Sequence, residues 1–246
     1  MKSIEQAVQE NPTLSKYKIM TWTEKSIKDF WDFESLFPEN YFTYQHGQNL
    51  ADFIYPYIKN SSQALDYGAG NGFFTNQLLN KRVHTATFDL SQESSESSNN
   101  KFCNHPDYLG AFNNNTITQQ DGCFDVVFLL EVIEHLDTTT RSLVLGQIHK
   151  ILKKNGTVVI STPNQENLAN NLIINPLTME IFHRWQHCYS WSADSLKKEI
   201  EHNNFTVQHT HEIDLKYVGT SPIKIVKRHL KRHKRQPHLI VIAKKS

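Results

Sequence analysis

From Asp66 to Gly72 the chain reads Asp-Tyr-Gly-Ala-Gly-Asn-Gly, so three of its nine glycines fall within five residues. A glycine accepts backbone angles closed to other residues and leaves no Cβ in the path of an approaching ligand. Gln63-Ala64-Leu65-Asp66 reads as a short strand entering this cluster, and Phe73 to Arg82 reads as a helix leaving it. Strand, glycine turn and helix together open an α/β unit. The spacing also excludes two ligand classes. A dinucleotide fingerprint needs its third glycine at position 73, which is Phe73, and no Lys-Ser or Lys-Thr pair follows to complete a P-loop.

The rest of the chain extends the alternation. Val83 to Leu90 reads as a second strand ending near Asp89, and Ser91 to Asn100 as a short helix or a loop. Tyr108 to Phe112 is a brief third strand. Phe124 to Leu130 is nearly all apolar, as befits a strand covered on both faces of a parallel sheet. Leu143, Leu145, Ile148 and Leu152 mark a helix expected to stop at Asn155-Gly156, with Gly156 to Thr162 as a fifth strand. Ser192 can cap a helix carrying Leu196 and Ile200, before closing strands at Phe205 to Thr210 and His238 to Ala243. The pattern is that of a doubly wound α/β sheet. Ahead of it, seven of the fifteen residues from Phe30 to Tyr44 are aromatic, too irregularly spaced for a clean helix. Leu50 to Ile58 then follows helical spacing, with a kink expected at Pro56 and an end at Ser61-Ser62. The expected division is a helical and aromatic cap over residues 1–60 and the sheet domain over 61–246.

At 246 residues the chain suits one large domain. It has no apolar run long enough to cross a bilayer, and its polar first twenty residues lack the core of a signal peptide. Cys103, Cys123 and Cys188 are scattered and odd in number, against a disulfide framework or a zinc ribbon. A cytoplasmic location is the expectation. The net charge of +1 conceals an asymmetry: no acidic residue follows Asp214, and nine of the 26 lysines and arginines lie from Lys224 onward. The stretch Lys224 to Arg235 suits nucleic acid, anionic lipid or a phosphorylated acceptor, or a solvated loop. Ile223, Ile225, Val226 and Leu230 give it an amphipathic side.

An acid two residues before G-x-G-x-G resembles motif I of the class I S-adenosylmethionine-dependent methyltransferases, of the type 11, 12 and 23 kind. Asp89, about twenty residues on, supplies a carboxylate able to accept both hydroxyls of a ribose. Phe124-Asp125-Val126-Val127, Glu131-Val132-Ile133-Glu134-His135-Leu136 and Gly156 to Asn164 resemble the fourth and fifth strand regions of that family. The likeness covers roughly residues 60 to 245. It implies a Rossmann-like seven-stranded sheet of order 3-2-1-4-5-7-6 with the last strand antiparallel. It implies S-adenosyl-L-methionine as cofactor, held by Asp66, Tyr67, Gly68, Ala69, Gly70, Gly72, Asp89, Leu90 and Leu130. Many members of that family carry Gly-Asp-Ala or similar after strand three, where an acid or amide meets the adenine; this chain departs from that pattern and offers only Gln119, Gln120 and Asp121 there.

Methyl transfer from a sulfonium is an in-line displacement, for which positioning supplies much of the rate. A hydroxyl acceptor must also lose a proton. The candidate catalytic residues are His187, His135 and Glu131, with Glu134 and His183 near in sequence. A helix after strand four would set Glu131, Glu134 and His135 on one face. His183 to Trp191 falls where the family commonly builds its acceptor pocket, although His187 and Trp191 serve equally well to hold that loop on the sheet. Tyr41, Tyr44 or His46 of the cap are placed to reach inward. The resemblance implies O-methylation of a small metabolite, or of a glycan or lipid precursor, without a metal. One alternative likens Glu131, Glu134, His135 and His187 to the metal set of small-RNA 3′-terminal ribose 2′-O-methyltransferases, which would suit Mg²⁺ or Mn²⁺. Another is a non-catalytic binding protein on the same fold. The acceptor and the oligomeric state stay open.

Overall fold

The structure, a computed structural model, describes residues 1–59, 62–218 and 235–246. Ser61 and the basic, amphipathic stretch as far as Lys234 lie outside the described residues. Seven strands form the central sheet: β1 (Ala64–Tyr67), β2 (Thr85–Phe88), β3 (Tyr108–Phe112), β4 (Phe124–Leu130), β5 (Leu152–Pro163), β6 (Phe205–Ile213) and β7 (His238–Lys245). Their order is 3-2-1-4-5-7-6, and β7 runs antiparallel to both of its neighbours. The expected topology is therefore present.

Among the described residues the α-helices longer than one turn are α1 (Ile4–Gln9), α2 (Glu24–Glu34), α3 (Phe42–Ile58), α4 (Phe73–Asn80), α5 (Gln92–Phe102), α6 (Thr138–Ile151) and α7 (Ala193–His202). The apolar run of β4 is explained by its two covered faces. Val127 and Leu129 pack with Leu145 and Ile148 of α6 and Leu196 and Ile200 of α7. Val126 and Phe128 pack with Leu50 and Ile54 of α3 and Phe74 and Leu78 of α4. Each such side chain contributes about 1.5–3 kcal/mol of burial. A charge placed at one of these inward positions would meet only apolar side chains, whereas Asp125 of the same strand is half-buried and paired with Lys153 at 3.0 Å.

One open local expectation is decided and two are corrected. Ser91 to Asn100 is helical, because Ser91 Oγ accepts the Ser94 amide at 3.2 Å and caps α5. The helix α6 ends at Ile151, not at Asn155-Gly156. Leu152 already pairs with Phe124, and the strand then loops through Asn155 at φ +61° before resuming its ladder. A Cβ on Gly156 would meet the Lys153 carbonyl oxygen at 2.9 Å, so this loop, and no helix cap, accounts for the glycine. The aromatic segment also holds more helix than its spacing suggests. Thr23 caps α2, the turn Pro38–Asn40 follows, and α3 begins at Phe42 and continues past Pro56. Among the described residues no helix is long and apolar enough to cross a membrane.

Candidate active site

The glycine turn leaves the end of β1 with left-handed angles at Gly68 (φ +81°), Gly70 (+51°) and Gly72 (+71°). A Cβ on Gly68 would approach Val132 Cγ2 to 2.8 Å, and one on Gly72 would approach the Phe102 ring to 2.6 Å. Conformation and space both demand glycine there. At Gly70 the space beyond the backbone is bordered by the Tyr41 ring, 3.6 Å from an added Cβ. This is the open crest on which a ligand can lie against main chain. Asp89 stands beside it, with one oxygen accepting the Gly70 amide at 2.8 Å and the other the Ser91 amide at 2.9 Å. Burial raises its carboxyl above the ordinary range, and these two amides work against that rise.

The other expected donor residues divide by sheet face. Asp66 is buried under the turn and accepts the Thr75 hydroxyl at 2.7 Å, tying α4 to β1, and burial lifts its carboxyl to about 6. Tyr67 points to the opposite face, where its hydroxyl bonds Gln147 at 2.7 Å, so it can offer a donor only its backbone. Ala69 and Leu130 are buried, whereas Leu90 is 70% exposed. Beyond β3, Gln119 and Asp121 are exposed and Gln120 is partly covered.

The cap is bonded onto this region at three points. Asn71 Nδ2 donates to the Ser35 carbonyl at 3.0 Å, Ser91 Oγ donates to Asp32 at 3.1 Å, and Trp31 Nε1 donates to Gln186 Oε1 at 2.8 Å. Of the cap residues expected to reach inward, Tyr41 borders the turn. Tyr44 is exposed against Phe73, and His46 lies on the Phe42 and His238 rings. Trp31 joins the two halves of the site, its ring contacting Tyr41 on one side and His135 on the other.

After β4 the chain does not form the expected helix. Glu131 takes a left-handed angle of +52°, and only the single turn Ile133–His135 follows. The side chains are fixed by β5 in place of a helix face. Ser161 Oγ donates to Glu131 at 2.7 Å, and Thr162 Oγ1 donates to Glu134 Oε2 at 3.0 Å. The second oxygen of Glu134 is buried without a partner. Burial drives both carboxyls well above their usual range. His135 lies between Trp31 and His187, with ring centroids 5.0 and 4.9 Å away, and burial lowers its pKa to about 3. It is a neutral imidazole at physiological pH.

His183 ends the short strand Ile181–His183, and the turn after it passes through Gln186 at φ +57°. That turn stacks His187 on His183, with centroids 4.4 Å apart and planes at 17°. The residue missed from sequence is Glu166. Its Oε2 lies 2.5 Å from His187 Nδ1 and its Oε1 lies 3.3 Å from His183 Nε2. Burial opposes its charge, but the bonds from the two histidines outweigh that and hold the carboxyl well below its usual range. No spacing in the sequence singles it out; the one available signal is its place just beyond a strand end, where open α/β sheets bind ligands. Trp191 is a core residue, 1% exposed beneath the buried guanidinium of Arg141.

Among the described residues, two overlapping sets of side chains offer donor atoms within 4.8 Å of one another: Glu134, His135 and His187, and Glu166, His183 and His187. Glu131 joins neither. A cavity of about 430 Å³ opens above these imidazoles, walled by Ile19, Trp22, Ile27 and Phe182. Among the described residues its lining includes the carboxylates Glu5 and Asp137 and no lysine or arginine.

Comparisons with known proteins bear on the family and the fold. Residues 41–210 match the family model of a methyltransferase domain. A search of curated proteins finds no match. Among solved structures, the Burkholderia thailandensis 1,6-didemethyltoxoflavin-N1-methyltransferase, bound to 1,6-didemethyltoxoflavin and S-adenosylhomocysteine, superposes with a TM-score of 0.66 at 14% identity over 94% of each chain. A putative Haloferax volcanii methyltransferase in complex with the activator Trm112 gives 0.63 at 14% identity, covering 89% of this chain and 97% of its own. An S-adenosylmethionine-dependent methyltransferase from Archaeoglobus fulgidus gives 0.55 at 20% identity, covering 88% and 99%. With the family model matching more than half of its length, a glycine cradle at the end of β1 and a carboxylate at the end of β2, this chain belongs to the S-adenosylmethionine-dependent methyltransferases of class I.

Proposed function

We propose that the chain methylates an oxygen of a small metabolite, or of a glycan or lipid precursor, with the acceptor held in the cavity above His135 and His187. The donor supplies a methyl group on a sulfonium, with Gly68 to Gly72 and Asp89 as its seat. The observation that carries the reading is the state of His187. Its Nδ1 is engaged by Glu166 at 2.5 Å, which leaves Nε2 as the basic nitrogen of a ring that lines the cavity. Burial lowers the pKa of His187, against the pull of Glu166, which favours the uncharged ring as the acceptor of a hydroxyl proton. His135 and Glu131 act beside it, the first as a neutral ring under the acceptor and the second as a carboxyl fixed by Ser161. The carboxylates of the cavity lining favour an acceptor without negative charge, which supports a small molecule over a nucleic acid.

Labelled methyl transfer against cell fractions split into small-molecule, glycan, lipid and RNA pools tests the acceptor class. Product only in the RNA pool overturns it. His187→Gln should lower kcat by about 10²–10⁴-fold while donor affinity is unchanged, and full activity in this variant removes the base.

A second reading rests on Glu134 Oε1, a buried oxygen without a partner and 4.0 Å from His187 Nε2. Glu134, His135 and His187 would hold Mg²⁺ or Mn²⁺ there, and the ion would make a bound hydroxyl more acidic. Glu131, spent on Ser161, falls outside that set. Transfer abolished by chelator and restored by Mn²⁺ selects this reading. Transfer indifferent to chelator rejects it.

A further inference from the structure

We infer that Glu166 is the positioning residue of the acceptor site: one carboxylate fixes the tautomers of His183 and His187 in opposite senses and so keeps His187 Nε2 free of a proton. The inference rests on the reading of His187 as the base, and it begins with the backbone. The left-handed turn at Gln186 brings the His187 amide back onto His183 Nδ1 at 3.2 Å, and the Trp185 amide reaches the same nitrogen at 3.3 Å. A nitrogen that accepts two N–H groups carries no proton of its own. In a neutral ring the proton of His183 is therefore on Nε2.

That nitrogen is buried and has no well-aligned acceptor; the carboxylate of Glu166, 3.3 Å away, offsets it mainly through charge. The other oxygen of Glu166 lies 2.5 Å from His187 Nδ1. A carboxylate that holds its charge can only accept, so Nδ1 of His187 is the protonated nitrogen. Its lone pair is then on Nε2, toward Glu134 and His135. The three groups close a ring: the His187 backbone donates to His183, and both imidazoles face one carboxylate. Asn171 Nδ2 holds that carboxylate in place, donating to Oε1 at 2.8 Å.

The same geometry decides what the grouping of Glu166, His183 and His187 is. Nδ1 of His183 is taken by two amides and Nδ1 of His187 by Glu166, while Nε2 of His183 faces the same carboxylate, which makes the group a self-contained triad and not a second cation site. Glu166 touches neither donor nor acceptor. It acts through His187, as orienting carboxylates act on metal-bound and catalytic histidines elsewhere.

An amide cannot replace it. In Glu166→Gln only one oxygen remains to accept, and an NH₂ group faces the second imidazole. His187 then moves its proton to Nε2, and the base is lost with little change in shape. The test is ¹⁵N NMR of the ring nitrogens in the full chain, which needs no acceptor. The wild type should show His187 protonated on Nδ1 and His183 on Nε2, and Glu166→Gln should shift His187 to the Nε2 form. In the cell fraction that supports wild-type transfer, Glu166→Gln should lose about 100-fold in kcat, with acceptor KM and S-adenosylhomocysteine affinity within twofold. Glu166→Asp, which keeps two accepting oxygens, should recover part of the rate. His187 protonated on Nε2 in the wild type overturns the inference, as does a Glu166→Gln protein with unaltered tautomers. If the tautomers are as stated but His187→Gln stays fully active, the base assignment fails while the triad stands.

Discussion

The donor turn and the acceptor wall are built in different ways. The turn is a matter of main chain: five consecutive residues set its left-handed angles, and Asp89 is fixed by amides of that same turn and its neighbour. The wall is a matter of side chains gathered from the cap, the end of β4, the loop after β5 and the segment around His187. The first kind of site tolerates almost no substitution and demands little of the remaining sequence. The second is assembled from residues far apart, each of which can change singly.

The contrast sets the order of expected effects. Gly72→Ala should be the most damaging of the changes considered, because it meets both a left-handed angle and a 2.6 Å approach to Phe102. A loss of about 3 kcal/mol in chemical denaturation is expected, together with weakened donor binding. Wild-type stability in this variant would refute the idea that the turn is set by its backbone.

Asp66 comes next, a buried side chain beneath the turn. Its carboxyl is raised to about 6 by burial, whereas in the unfolded chain it titrates near 4. Between those values the folded state binds the extra proton, so this group's contribution to stability is present at low pH and is lost as the pH rises toward 6. Asp66→Asn keeps an acceptor for Thr75 and cannot ionise. It should gain about 2 kcal/mol relative to the wild type between pH 4 and pH 7, read from denaturation midpoints across that range. A difference independent of pH would show that Asp66 is charged in the fold.

Trp31→Phe should have the smallest effect. It removes the bond to Gln186 at 2.8 Å and leaves a ring against His135. Stability and S-adenosylhomocysteine affinity should hold, while acceptor KM rises several-fold, about 1 kcal/mol for one neutral hydrogen bond. Lost donor affinity in this variant would mean that the two regions are not separable.

The difference in construction also explains what could be read in the sequence. The glycine spacing, the apolar run of β4 and the acid ending β2 are local signals, and each has its expected place in the sheet. The grouping of Glu131, Glu134 and His135 on a helix failed because the left-handed angle at Glu131 turns the chain before a helix can start. Those residues are held by Ser161 and Thr162 of the neighbouring strand, a pairing that no periodicity reveals. Glu166 was invisible for the same reason. It is a single loop carboxylate whose meaning comes from two imidazoles 17 and 21 residues away, brought to it by a turn at Gln186.

The cap gives this arrangement a consequence for how such a chain can diversify. The family match begins at residue 41, yet Trp22, Ile27 and Trp31, all ahead of it, wall the cavity or close on its rim. A leading segment joined to the rest of the chain by two short strand pairings, a small apolar cluster around Ile4, Ala7 and Leu168, and a few hydrogen bonds and ring contacts can be exchanged together with those partners. A chimaera carrying another chain's first forty residues would keep its donor chemistry and inherit a new choice of acceptor.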